Sequence, residues 1–317
     1  MSTAIRTRLR RYADHSLQPN DRILLLADNT PEFFAELLAA WHAGAAAIPI
    51  DCSLSKFEIG NIIRAAEPRF AIRTGPNPVG WDQACPLLEA PASAAPASDP
   101  SPGYRLDDDA LILFTSGSTG APKGVVHTHR SLLAQWTRLR QSLGTAPYAR
   151  TLCLLPVYFG HGLICNALFP LLSGCDLYLG PAFTPQMLAR LSRVIDEHRI
   201  TAMSSVPTMW RLALRLSPRP KNDSLERVHC GSAPLSADLW SRIAEWAGAP
   251  VVNTYGITET ASWLGGSLDE SGPRDGRIGK AWGGEIRVFQ PGPGGDPSPV
   301  VECAPGAEGH VWLARRR

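Results

Sequence analysis

Charge of one sign is missing from this 317-residue sequence. Its 31 Lys and Arg against 29 Asp and Glu leave a formal +2, too little to favour nucleic acid or an anionic membrane as partner. Paired cysteines are missing too. The seven thiols, at 52, 85, 153, 165, 175, 230 and 303, stand singly with no C-x-x-C pair. That argues against a zinc site or a disulfide frame, and for reduced thiols in a cytoplasm. No histidine has ligand spacing with them. His127 and His129, one residue apart, are expected to be solvated or locally hydrogen-bonded, not a metal pair. Long apolar runs are absent as well: the richest window, 161–179, is broken by Asn166, Pro170, Ser173 and Asp176. It reads as buried helix, turn and strand, not a membrane span. No apolar segment follows the basic start, so no secretory signal is expected. No internal repeat is visible, and Arg315, Arg316 and Arg317 read as a solvated tail.

What is present is an alternation of strand-like and helix-like segments. Arg22 to Ala27 is an apolar strand; Thr30 can cap a helix with Pro31 at its first position, and Phe33, Phe34, Leu37, Leu38 and Trp41 recur at helical spacing. Gly44 stops that helix, and strand, helix (Ser55 to Glu67) and strand follow. This predicts an α/β fold with a parallel sheet flanked by helices. Residues 74–103, rich in Pro, Ala and Ser, read as a surface connection. Further helices are expected near 130–143, 184–198, 207–216 and 236–247, and strands near 151–155, 175–179, 200–204, 227–230 and 250–253. Beyond Thr260, Gly and Pro multiply and only short β-like pieces remain (Glu285 to Phe289, His310 to Leu313), which suits a distorted β-barrel lobe. The expected organisation is one domain over 1–317 with lobes of roughly 1–150, 151–260 and 261–317.

One segment carries chemistry. The apolar stretch Leu111 to Phe114 feeds into Thr115-Ser116-Gly117-Ser118-Thr119-Gly120-Ala121-Pro122-Lys123-Gly124. Glycines let backbone approach an anion, hydroxyls and N–H groups wrap phosphate oxygens, and the lysine adds a positive charge. Pro122 and Gly124 flank the lysine where a Walker A loop needs Gly and Ser or Thr, and the glycine spacing does not fit G-x-G-x-x-G. The reading is a polyphosphate loop for ATP, against the blander one of a Gly/Ser surface turn.

That string resembles the phosphate-loop signature of adenylate-forming enzymes: acyl- and aryl-CoA synthetases, nonribosomal peptide adenylation domains and luciferases. Asn253-Thr254-Tyr255-Gly256-Ile257-Thr258-Glu259-Thr260 is similar to the family's Tyr-Gly-x-Thr-Glu motif. Weaker echoes are Trp41 to Asp51, Ser205-Val206-Pro207-Thr208-Met209, Gly231-Ser232-Ala233-Pro234-Leu235, Arg277-Ile278-Gly279-Lys280 and Gly309-His310-Val311-Trp312. The resemblance implies ATP-dependent activation of a carboxylic acid as acyl-AMP, followed by thioester formation on CoA or a carrier protein's phosphopantetheine. It implies that Thr115, Ser116, Gly117, Ser118, Thr119, Gly120 and Lys123 hold the β- and γ-phosphates. Thr258 would contact the α-phosphate and Glu259 would help hold Mg²⁺, an oxygen-seeking cation. Tyr255 would lie along the adenine, with Asn253, Gly231, Ser232, Ala233 and Pro234 at its edge. Lys123, Thr258 and Glu259 are the implied catalytic residues.

For the acid, the stretch Pro156 to Leu163 is similar to the family's acyl-site segment, placing His161 on the pocket wall with Gly256; the competing reading is an ordinary histidine at a helix start. Trp263 would narrow the pocket toward a flat or short acid, or else belong to barrel core. No aspartate matches the one that pairs with a substrate α-amine, which disfavours amino acids; fatty, small and aryl acids remain.

The resemblance covers the larger N-terminal part of such an enzyme. The family's ribose-binding Thr-Gly-Asp, its hinge and the small C-terminal domain with its lysine have no counterpart here, and His310 stands where Glu is common. Removing a transition-state lysine commonly costs a few kcal/mol, tenfold in rate per ~1.4 kcal/mol, so the chain alone is expected to be a poor catalyst. Three readings stand: the N-terminal part of an acid-activating ligase completed by further polypeptide, a non-catalytic binder of nucleotide, acyl-adenylate or a partner, and a CoA acyltransferase. The last is weakened by the lack of any His-x-x-x-Asp string.

Overall fold

The structure, a computed structural model, describes residues 3–74, 85–88, 103–115, 122–181, 184–268, 272–290 and 301–314. The first half folds around a six-stranded sheet. Its elements are α1 (Thr3–Asp14), β1 (Arg22–Ala27), α2 (Pro31–His42), β2 (Ala46–Asp51), α3 (Lys56–Ala66), β3 (Phe70–Arg73), β4 (Leu87–Leu88), β5 (Asp109–Thr115), β6 (Lys123–Thr128) and α4 (His129–Leu143). The strand order is β4-β3-β1-β2-β5-β6. All neighbours are parallel except β5 and β6, an antiparallel pair in which Thr115 faces Lys123.

Local chemistry sets these boundaries. Thr30 accepts from Phe33 N and Pro31 opens α2, while Ser55 and Glu58 form a reciprocal capping box at α3. Ile23, Leu24, Leu25 and Leu26 of β1 are fully buried. A strand covered on both faces by helices needs this continuous apolar run, and each side chain contributes about 1.5–3 kcal/mol.

The second sheet follows from β7 (Arg150–Cys153), α5 (Phe169–Leu172), β8 (Asp176–Leu179), α6 (Pro185–Ala189), α7 (Leu191–His198), β9 (Ala202–Ser205), α8 (Pro207–Leu216), β10 (Arg227–Gly231), α9 (Ala237–Ala247), β11 (Val251–Ile257), β12 (Ser262–Gly266) and β13 (Lys280–Ala281). Its order is β13-β12-β11-β10-β9-β7-β8, parallel from β8 to β11 and antiparallel from β11 to β13. The expected helix over 184–198 is two helices, because Arg190 leaves helical geometry between α6 and α7.

β12 and β13 lie beyond Thr260 yet belong to this sheet. The described residues further on form a two-stranded antiparallel sheet, β14 (Glu285–Phe289) and β15 (His310–Ala314). α1, which the sequence reading passed over, docks on α2: Arg8 Nε meets Glu36 Oε1 at 2.8 Å, Arg11 meets Glu36 Oε2 at 2.5 Å, and Tyr12 Oη donates to Oε2 at 2.6 Å. Leu9 and Tyr12 of the same helix join the core, so its docking face mixes apolar and charged groups.

One core cluster runs from Leu25, Leu37 and Leu113 of the first half through Leu163, Ala167 and Phe169 to Val252 and Trp263 of the second. Asn29, 8% exposed, joins the halves: its Nδ2 donates to Leu155 O and Gly180 O, and its Oδ1 accepts from Val157 N. The sequence reading missed this residue.

Candidate active site

In the second sheet the strand order reverses between β9 and β7, and an open α/β sheet leaves its crevice at the carboxyl ends of strands around such a point. The segments singled out in the sequence converge there. β10 ends at Gly231 and passes to Ser232; β11 ends at Ile257 and passes to a one-turn 3₁₀ helix, Thr258–Thr260. The Lys123 strand, β6, packs against that turn although it belongs to the other sheet. Gly160 adds a second link, since a Cβ there would lie 3.1 Å from Leu113 Cδ1 of β5 and 4.0 Å from Ser262 Cβ of β12.

The predicted loop residues Ser116, Gly117, Ser118, Thr119 and Gly120 lie outside the described residues. Thr115 and Lys123, which flank them, are paired at the hairpin end, with Lys123 exposed. Glu259, Ala233 and Pro234 are exposed, and Tyr255, Gly256 and Thr258 half-buried. Asn253 is buried at the β11 core, donating through Nδ2 to Arg277 O at 2.6 Å and through its backbone N–H to Ser267 Oγ. One Nδ2 hydrogen and the backbone N–H are thus already engaged by protein.

Two glycines are fixed by close approach. A Cβ on Gly231 would overlap Thr254, and one on Gly256 would overlap the Ser262 carbonyl across the β11–β12 bulge. Ser232 takes a left-handed φ of 64°, uncommon for a residue with a Cβ. Its Oγ lies 2.9 Å from His161 Nδ1, a contact that holds the turn.

His161 opens a wide π-type helix, His161–Leu168, a rare geometry that occurs frequently at functional sites. It is 2% exposed, and its Nε2 lies 2.6 Å from Ser204 Oγ. Burial pulls its pKa down to about 3, so the ring is neutral and can exchange hydrogen bonds with two hydroxyls. Its edge meets Trp263 with centroids 5.2 Å apart. Trp263 is 2% exposed and faces Gly256 across the strand pair. It stacks on His229 at 4.4 Å, and His229 Nε2 lies 2.7 Å from Tyr148 Oη.

Ser204, His229 and Tyr148 were not foreseen. They come from three separate segments, Ser204 and His229 standing just before quoted motifs without belonging to them, and only tertiary packing joins them.

Of the histidine pair after the loop, His127 is 3% exposed, so the solvated reading fails for it, while His129 is half-buried and packs against Tyr104 (4.4 Å) and Trp41 (5.8 Å). β6 turns His127 toward the sheet interior, and α4 begins at His129 under Tyr104.

Among the described residues no group of three or more His, Cys, Asp or Glu could hold a metal. Nor is a cysteine poised as nucleophile here, since burial pushes the Cys153 and Cys230 thiols up to about 12. Among the described residues clefts open elsewhere, including one of about 480 Å³ between α4 and β13–β14, an apolar one of about 360 Å³ beside Trp136 and His129, and one of about 560 Å³ beside Tyr178 and Arg190. None of these is lined by the residues predicted for the site.

The sequence matches the AMP-binding enzyme family over residues 7–316. The chain belongs to that family. As an AMP-binding enzyme it is 31% identical over 310 residues to a feruloyl-CoA synthase of Amycolatopsis sp, covering 94% of this chain and 60% of that protein. It is 28% identical to a dimodular nonribosomal peptide synthase of Bacillus subtilis, over 95% of this chain and 13% of that one. The chain therefore spans about 60% of the length of the curated synthase it matches.

Solved structures share the fold. ATP-bound MatB from Rhodopseudomonas palustris superposes with a TM-score of 0.82 at 23% identity, over 99% of this chain and 64% of that one. The AMP complex of O-succinylbenzoate CoA synthetase from Bacillus subtilis gives 0.82 at 23%, over 98% and 78%. Within this AMP-binding enzyme no described helix is long and apolar enough to cross a membrane.

Proposed function

We propose that this chain supplies the nucleotide and acid sites of a carboxylic-acid-activating ligase, an acid–thiol ligase when complete. A carboxylate oxygen of a fatty, small or aryl acid attacks the α-phosphorus of ATP. The bond to the bridging oxygen breaks, and acyl-AMP and pyrophosphate form. The acyl group then passes to the thiol of CoA or of a carrier protein's phosphopantetheine, releasing AMP. The observation that carries this reading is the packing of the Lys123 strand against the Thr258–Thr260 turn, which unites two distant motifs at one sheet edge.

In this arrangement Thr115 and Lys123 hold the outer phosphates with the loop between them, and Thr258 meets the α-phosphate. Tyr255 lies along the purine, while the Ser232 to Pro234 turn follows its edge. Such chemistry is mainly positioning and charge neutralisation. Glu259 is exposed and offers one carboxylate. A single carboxylate suits Mg²⁺, which takes its other ligands from phosphate and water; when bound, that ion neutralises phosphate charge. The acid lies beside Gly256, His161 and Trp263. With the chain spanning about 60% of its synthase relative, the remaining polypeptide of such an enzyme, in cis or as a partner, completes catalysis.

Calorimetric titration of the 317-residue chain with MgATP tests the reading. Saturable binding that Lys123→Ala weakens at least about tenfold, one charge-assisted hydrogen bond's worth, supports it. No binding, or equal binding by the variant, overturns it. Hydroxamate trapping of acyl-AMP then separates an activating chain from a purely binding one.

A further inference from the structure

Two consecutive residues at the exit of the Thr258–Thr260 turn, Ala261 and Ser262, take left-handed φ values of 56° and 74°. No other neighbouring pair of non-glycine residues does so among those described. Both are buried, at 2% and 7% exposed. Residues with a Cβ populate this region sparsely, and such backbone persists only where its surroundings fix it. Strain of this kind clusters at active sites, which makes the groups that fix it here worth naming.

Two grips hold the pair. Before it, Thr260, 6% exposed, brings its Oγ1 to 2.9 Å from Ile257 O and 3.0 Å from Ser262 O. A hydroxyl has one proton, so the last carbonyl of β11 and the first of β12 share it in a three-centre bond. The same Ser262 carbonyl lies against Gly256, where a Cβ would overlap it. After the pair, Gln135 Nε2 donates to Trp263 O at 2.9 Å and Arg138 Nη2 at 2.6 Å. Gln135 and Arg138 stand on α4, which follows directly on the Lys123 strand. The turn is thus tied on one side to its own strands and on the other to the element that carries the lysine.

Thr258 is half-buried and Glu259 exposed. A single 3₁₀ turn, closed by the Ala261 N–H on Thr258 O at 3.0 Å, aims both side chains. Ligand-holding groups must stay within about 0.5 Å of their productive places, and bonds made by neighbouring residues keep them there.

We infer that Thr260 is a positioning residue. Its hydroxyl, without touching nucleotide, fixes the turn that directs Thr258 to the α-phosphate and Glu259 to Mg²⁺. This role rests on the acid-activation reading above.

The test is calorimetry of MgATP on the full chain, well below the melting temperature of each variant. Thr260→Val keeps the shape and removes the hydroxyl; Thr260→Ser keeps the hydroxyl and removes a methyl. The valine variant should bind MgATP about three- to tenfold more weakly, the span of one neutral hydrogen bond, and the serine variant within about twofold of the parent. Thr260→Ala also lacks the hydroxyl and adds no bulk, and it decides in place of valine if that variant does not fold. Glu259→Gln supplies a second arm. In that background the valine change should lose most of its effect, because residues that act through one contact are not additive. MgATP affinity equal to the parent's in the folded valine or alanine variant makes Thr260 a purely structural residue and overturns the inference. An effect of full size without the Glu259 carboxylate, or serine no better than valine, does the same. A parent chain that binds no MgATP overturns the functional reading with it; a binding parent matched by its valine variant overturns the inference alone.

Discussion

Asn29 Nδ2 donates to the carbonyl oxygen of Leu155 at 3.1 Å, across 126 positions of sequence. The same amide reaches Gly180 O and Val157 N, so one side chain satisfies three backbone groups where the two halves meet. Asn29→Ala leaves those groups buried and unpaired. We predict a loss of about 2–4 kcal/mol in urea unfolding, from about 1–3 kcal/mol per unsatisfied group with partial relaxation. A loss below about 0.5 kcal/mol would mean that water replaces the amide.

Glu36, with a side chain 1% exposed, holds both Arg8 and Arg11. Removing one partner of a buried ion network leaves uncompensated charge, about 3–5 kcal/mol. Glu36→Ala should therefore undock α1, seen as faster proteolysis near Thr3–Asp14 together with lower stability. Proteolysis at the parental rate would show α1 held by other contacts.

Glu259 is the one carboxylate offered to Mg²⁺ in the proposed function. Glu259→Gln should bind free ATP as the parent does but lose most of the gain that Mg²⁺ brings, about tenfold in affinity for one charged contact. An unchanged Mg²⁺ dependence would remove Glu259 from that role.

Burial holds His161 neutral with a folded pKa near 3, below the unfolded value of about 6.5. The unfolded chain thus takes up the proton first on acidification. Stability from this group is complete above about pH 6.5 and falls as pH drops toward 3, by about 1.4 kcal/mol per pH unit. His229, also depressed by burial, acts in the same direction. The stability difference between parent and His161→Gln, measured at pH 7.5 and 5.5, should shrink at the lower pH; a constant difference would contradict the assignment.

Gly256 has no room for a side chain, because a Cβ would overlap the Ser262 backbone carbonyl. Gly256→Ala must spread β11 from β12 at the bulge, costing about 1–3 kcal/mol, the usual range for overpacking. The shift should also displace Trp263, readable in its fluorescence. Unaltered stability and emission would indicate that the bulge has slack.

Much of the first half could be read in advance because its signals are local. Capping by Thr30 and Ser55, Pro31 at a helix start and the apolar run of β1 depend on residues within a few positions, and the elements fall where those signals put them. α1 escaped notice because its docking face mixes Leu9 and Tyr12 with Arg8 and Arg11, and β12 because Ser262-Trp263-Leu264-Gly265-Gly266 carries no period of its own. Motif spacing likewise flagged Lys123, Gly231 and Gly256 without saying how far apart they lie.

By itself, then, the sequence determined the family, the α/β class and the identity of the residues flanking the phosphate loop, since these follow from short-range patterns. Tertiary structure alone decided that the Lys123 strand lies on the Thr258–Thr260 turn, that His161 is clasped by Ser204 and Ser232, and that Trp263 is stacked on His229. Those relationships join segments dozens of residues apart. Strand order and the packing of one shared core set them, and no local propensity encodes either.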